Sequence, residues 1–145
     1  MMRAIPKKQY KHVLRLLPIL CVDIIAQNAR KEYLLIKRVN QPKINRWWVV
    51  GGRVHKGESL VEAARRKMKE ETGLKLRDMK PVGYYELLSG TSPFQARNKN
   101  HTISVVFSSA IEDGSSIILD KQSCNYKFSK KLPGDFRIKS FKRGV

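Results

Sequence analysis

The stretch from Gly51 to Leu74 constrains this chain more than any other. It reads Gly-Gly-Arg-Val-His-Lys-Gly-Glu-Ser-Leu-Val-Glu-Ala-Ala-Arg-Arg-Lys-Met-Lys-Glu-Glu-Thr-Gly-Leu. Residues 59–72 predict a helix: Leu60, Ala64 and Met68 recur every four positions as an apolar stripe, with charges elsewhere. Gly73 follows directly, where a left-handed residue ends a helix at least cost. Ahead of the helix, 47–50 predicts a short apolar strand ending at Gly51 and Gly52. Two glycines there let the backbone approach a ligand and turn carbonyls toward a cation. Arg66 and Glu70 lie four apart and meet on one helix face. Glu70 and Glu71, adjacent on a rigid helix near a backbone carbonyl, make a hard oxygen site suited to magnesium or manganese. Such ions bridge phosphate oxygens and neutralise charge on a leaving phosphate.

Short apolar runs surround this segment. Residues 19–26 and 32–39 predict two strands joined by a turn at 27–31, and 82–88, 102–110 and 117–119 predict three more. Residues 89–100, rich in Ser, Gly, Asn and charge, predict a loop. Strands before and after one central helix indicate a mixed α/β sandwich, not a doubly wound parallel sheet. With 145 residues, 41% of them hydrophobic, the chain suits one domain over 1–145 with basic terminal extensions. No apolar run approaches the ~20 residues of a membrane span. Residues 1–20 mix basic and apolar side chains, but Arg15 interrupts the apolar run and Asp23 soon follows, which argues against export. Cys21 and Cys124 fit no metal or redox spacing and predict reduced thiols in a cytoplasmic protein.

Thirty Lys and Arg against twelve Asp and Glu give a net charge of +18, concentrated toward both ends of the chain. Such a field attracts polyanions. The basic residues lack regularly interleaved aromatics, which disfavours single-stranded nucleic acid as the partner.

Gly52, Glu58, Arg66, Met68, Glu70, Glu71, Gly73 and Leu74 all fall on the pattern of the Nudix box, which this stretch resembles. The resemblance implies an α/β/α sandwich with a mixed sheet, in which the box forms a loop–helix–loop that holds magnesium or manganese. It also implies Glu70, Glu71 and the Gly51 carbonyl as metal ligands, with Glu58 supporting the loop and Arg66 orienting the carboxylates. Lys67 departs from the pattern, because the family carries glutamate there. An ammonium at that position, near Glu70 and Glu71, is expected to repel a second or third ion.

Residues 18–76 are similar, more narrowly, to the GDP-mannose mannosyl hydrolase branch, which also lacks that glutamate. The likeness runs through Pro18–Asp23, Leu34–Arg38, Trp47 and Gly52–Val54, and more faintly through Gly83 and His101 to Gln122. It implies attack at the anomeric carbon, with release of nucleoside diphosphate and sugar. Asp23 would act near the sugar, Arg38 and Arg53 would hold the diphosphate, and Gln122 would add a metal contact. Guanidinium groups suit that role because they grip phosphate oxygens in pairs. Ser123 stands where the branch has a histidine base, and serine is a poor base. His55 and His101 read as structural. Val50 replaces a proline common before the two glycines. The expected substrate is a GDP-mannose-like nucleotide sugar, with no membrane partner and a homodimer left open. Two alternatives are a general Nudix pyrophosphatase acting on ADP-ribose, NADH or a nucleoside triphosphate, and a non-catalytic domain that binds nucleotide or RNA.

Overall fold

The computed structural model describes residues 5–39, 45–89, 100–114, 116–121 and 123–142. The order is α1 (Lys7–Leu16), β1 (Ile19–Gln27), β2 (Tyr33–Arg38), β3 (Trp47–Trp48), β4 (Val50–Arg53), α2 (Leu60–Thr72), β5 (Leu76–Ser89), β6 (Asn100–Ile111), β7 (Ser123–Ser129) and β8 (Lys139–Ser140). The strands form one sheet in the order β3-β2-β1-β6-β5-β8, with β4 also on β1 and β7 on β2. β1 runs parallel to β6 along its whole length, from Ile19 opposite Thr102 to Gln27 opposite Ala110, while its pairing to β4 is antiparallel. The sheet is therefore mixed, as the strand–helix–strand pattern predicts.

Two layers cover the sheet. On one face Val22, Ile24, Ala26, Leu34, Ile36 and Val50 meet Ala63, Ala64 and Met68 of α2. Full burial of a side chain such as Met68 contributes about 1.5–3 kcal/mol. The other face holds Ile25, Leu35, Trp48, Val49 and Val106, covered by Phe136. The Phe136 ring meets those of Trp48 and Tyr85 edge-on, at 5.2 and 5.3 Å. Leu132 and Ile138 join it from a non-helical C-terminal segment.

Local chemistry fixes the ends of α2. The Ser59 hydroxyl accepts from the Glu62 N–H and the Glu62 carboxylate accepts from the Ser59 N–H, a reciprocal capping box. Gly73 closes the helix at φ 73°. The expected stripe of Leu60, Ala64 and Met68 is correct but incomplete: Ala63, Lys67, Glu71 and Thr72 are buried too, and Leu60 only half so.

The expectation for 117–119 is corrected: this segment is not a strand. Its amides serve the end of α2 instead. The Ile118 N–H donates to the Thr72 carbonyl at 2.9 Å and the Asp120 N–H to the Glu71 carbonyl at 3.2 Å. The strand expected at 47–50 is split at Val49 into β3 and β4, and β5 begins six residues before the predicted 82, at Leu76. α1, β7 and β8 are additions to the sequence reading. The interior of the loop expected at 89–100 lies outside the described residues.

Candidate active site

Arg66 ties the box together. Its guanidinium donates to Glu58 Oε1 at 2.6 Å and Oε2 at 3.0 Å, to the Arg53 carbonyl at 2.8 Å, and to Glu70 Oε2 at 3.2 Å. Glu58 also accepts the His55 N–H at 2.7 Å. One side chain of α2 thus clamps the loop that leaves β4. The Arg66 hydrogen bonds, more than any other cause, hold the Glu58 carboxyl down at about 2. His55 takes part in this frame through its backbone N–H.

One turn further along, Glu71 is fully buried, at 0% exposure. Lys67, also buried, places its ammonium 2.8 Å from Glu71 Oε1 and 3.5 Å from Glu70 Oε2. The stem of Lys67 lies against Gly52: a Cβ there would sit 2.6 Å from Lys67 Cε. Gly52 therefore makes room for a lysine, a use of that glycine absent from the sequence reading. Apart from this ammonium, the two buried Glu71 oxygens have no hydrogen-bond partner among the described residues. Burial pushes the Glu71 carboxyl up, and Lys67 pulls it back.

Asp23 lies under the first glycine, opposite Gly51 in the β1–β4 ladder. A Cβ on Gly51 would collide with Asp23 Oδ1 and with the Val22 carbonyl, 2.5 Å away. The other carboxylate oxygen accepts O–H donors from Tyr85, at 3.0 Å, and from Ser104. Burial pushes the Asp23 carboxyl up to about 7 against these two donors and the nearby charge of Arg38, while Glu71 adds a small upward push. The same burial, with Asp23 beside it, carries the Cys21 thiol to about 12, although Arg53, Arg38 and Lys67 oppose it.

Arg38 ends β2 at an irregularity in the β2–β7 ladder, facing Ser123. Its Nε is buried with no hydrogen-bond partner among the described residues, and so is the Ser123 hydroxyl. Arg53 is exposed and stacks its guanidinium over the Tyr10 ring of α1 at 4.2 Å. Asp23, Arg38, Arg53, Lys67 and Glu71 thus come within electrostatic reach of one stretch of β1. Gln122 lies outside the described residues. His101 sits apart, 3.8 Å from Glu86.

A divalent ion fits the donor chemistry here in one respect and meets an occupant in another. Glu71 offers two buried oxygens whose one close partner among the described residues is Lys67, with Glu70 adjacent, and such hard oxygens suit a divalent cation. Among the described residues no group of three or more His, Cys, Asp or Glu side chains is placed to hold a metal. The Lys67 ammonium already stands between the two carboxylates.

The NUDIX domain family model matches residues 17–128. The chain belongs to the Nudix hydrolase family. It is 27% identical over 123 residues to the low-salt glycan biosynthesis protein Agl8 of Haloferax volcanii, covering 85% of this chain and 78% of that protein. It is 39% identical over 97 residues to the ADP-ribose pyrophosphatase of Methanocaldococcus jannaschii, covering 67% of this chain and only 53% of the relative. Among solved structures, the MutT Nudix hydrolase of Burkholderia pseudomallei superposes with a TM-score of 0.65 at 19% identity, over 81% of this chain and 92% of that one. That likeness speaks for the fold.

Three residues around the Nudix site were missed in the sequence: Tyr10, Tyr85 and Ser104. Tyr85 and Ser104 are partners across β5 and β6, and Ser104 lies opposite Cys21 of β1. Their convergence on Asp23 is set by strand order, which no local spacing reveals. Tyr10 carries a weak local signal, as the one aromatic among the basic residues of α1.

Proposed function

We propose that this Nudix domain hydrolyses a nucleoside-diphosphate sugar of the GDP-mannose kind, releasing nucleoside diphosphate and free sugar. The observation that carries the reading is half-buried Arg38, whose buried Nε has no hydrogen-bond partner among the described residues and whose charge acts on both Asp23 and Glu71. A donor without a partner beside carboxylates that a phosphate ligand would approach suits a diphosphate grip. Arg53, exposed at the rim, would hold the same group, and Asp23 would lie on the sugar side. Glu71, Glu70, the Gly51 carbonyl and Gln122 would hold magnesium or manganese, which neutralises charge on a leaving diphosphate. Arg66 acts by keeping the box loop and Glu70 in register. The similarity to an ADP-ribose pyrophosphatase, and to a glycan biosynthesis protein, supports a substrate in which a nucleoside diphosphate carries a sugar.

Lys67 on Glu71 favours a second reading, a domain that binds nucleotide without turning it over. Nucleotide sugars, dinucleotides and triphosphates are supplied with magnesium or manganese in ¹⁸O-labelled water, and the products identified. Label in the sugar supports the proposal. Label in a phosphate moves the reaction to phosphorus and the enzyme to the pyrophosphatases. Binding with no product supports the second reading.

A further inference from the structure

We infer that Lys67 is a resident cation: its ammonium fills the place between Glu70 and Glu71, and a divalent ion binds there only by displacing it. The inference rests on Glu70 and Glu71 being the cation ligands but not on any catalysed reaction. Three observations carry it. The ammonium lies 2.8 Å from one carboxylate and 3.5 Å from the other, between the two groups that would hold a divalent ion. Its stem is housed, since it packs where a side chain on residue 52 would otherwise stand. Glu71 is buried at 0% exposure and, among the described residues, no group other than the Lys67 ammonium meets its carboxylate, so its charge depends on that ammonium. Leaving a buried carboxylate without any counter-cation is strongly unfavourable, so one cation of either kind must stay beside it.

Charges around the cluster fit a single-cation site. Arg66 engages Glu58 and Glu70, leaving Lys67, among the described residues, as the cation in contact with Glu71. Arg38 and Asp120 act on Glu71 from further off and with opposite sign. Adding a divalent ion while Lys67 stays would place an excess of positive charge within a few ångströms, which Coulomb repulsion opposes strongly at low effective dielectric.

The test uses the intact chain without substrate. Manganese binding is followed by electron paramagnetic resonance and thermal midpoints are recorded in EDTA and in manganese, for wild type and Lys67→Met. Lys67→Met is expected to bind manganese at least about tenfold more tightly. Its midpoint should fall in EDTA and recover with manganese, while the wild-type midpoint barely responds. Equal affinity, or an equal response of the midpoints, overturns the inference. If Lys67→Met is unfolded in EDTA, recovery of the fold on adding manganese supports it and failure to recover overturns it. The double variant Lys67→Met/Glu71→Gln should fold without metal and show no manganese site. Manganese binding there as tight as in the single variant would place the ion elsewhere and overturn the inference. None of these readouts depends on hydrolysis, so a chain without turnover would sink the proposed function and leave this result standing.

Discussion

Arg66 grips Glu58 with two parallel hydrogen bonds, 2.6 and 3.0 Å long, across eight residues of sequence. The pair joins the loop after β4 to the middle of α2, so the Nudix loop is braced from the helix side. Arg66→Lys keeps the charge but loses the fork and the bond to the Arg53 carbonyl, and should cost about 1–3 kcal/mol in urea unfolding. The acid limb follows from the same pair. Glu58 is held at about 2 against an ordinary 4.5. Its contribution is therefore complete above pH 4.5 and is lost as the pH falls toward 2. Glu58→Gln should flatten the stability profile over that window, and an unchanged profile would remove Arg66 from the account.

The two glycines at the end of β4 should respond differently to alanine. A Cβ on Gly51 meets the Val22 carbonyl and buried Asp23, neither of which can move cheaply. On Gly52 it meets the Lys67 stem, which yields more readily than backbone although its ammonium must then readjust on Glu71. Gly51→Ala should destabilise by roughly 1–3 kcal/mol more than Gly52→Ala. Equal midpoints for the two variants would contradict the close approach of β4 to β1.

Asp23 gives the opposite pH dependence to Glu58. Its carboxyl is raised to about 7 from an ordinary 3.8, so the folded chain keeps a proton that the unfolded chain has released. The resulting penalty is absent below pH 3.8, grows as the pH rises, and is complete above 7, reaching on the order of 4 kcal/mol. Asp23→Asn removes this titration and should reduce the fall in stability as the pH rises across that range. Denaturant midpoints of both proteins at pH 4, 6 and 8 would show it.

Glu71→Gln should reduce magnesium affinity and any turnover together. It also leaves the Lys67 ammonium buried without its partner, at a cost of about 3 kcal/mol or more. Combining it with Lys67→Met should recover much of that loss, a coupling readable in a double-mutant cycle. Additive losses would mean that the two side chains do not stabilise each other.

The box was legible because its information is local. Capping by Ser59, closure at Gly73 and the pairing of Arg66 with Glu70 all depend on spacings within one helix and its flanks. The mixed sheet was legible for a similar reason, since strands such as β1 and β6 are marked by their own β-branched runs. β7 was harder: its side chains from Cys124 to Phe128 are exposed, so it has no buried face to write into the sequence. Lys67 was legible as a departure, but its contact with Glu71 was not, because the space for its stem is left by Gly52 on another element. Tyr85 and Ser104 became neighbours of Asp23 only through the order of β5, β6 and β1.

The segment that failed to become a strand has a consequence for tolerance of length changes. Ile118 and Asp120 present their amides to the last carbonyls of α2 in the manner of a clasp. A clasp of this kind fixes spacing rather than side-chain identity. One residue inserted or deleted between Ile111 and Ser123 would shift both amides out of step with Thr72 and Glu71, whereas substitutions at exposed Ile118 would leave them engaged. Drift in this stretch is therefore constrained in number more than in kind.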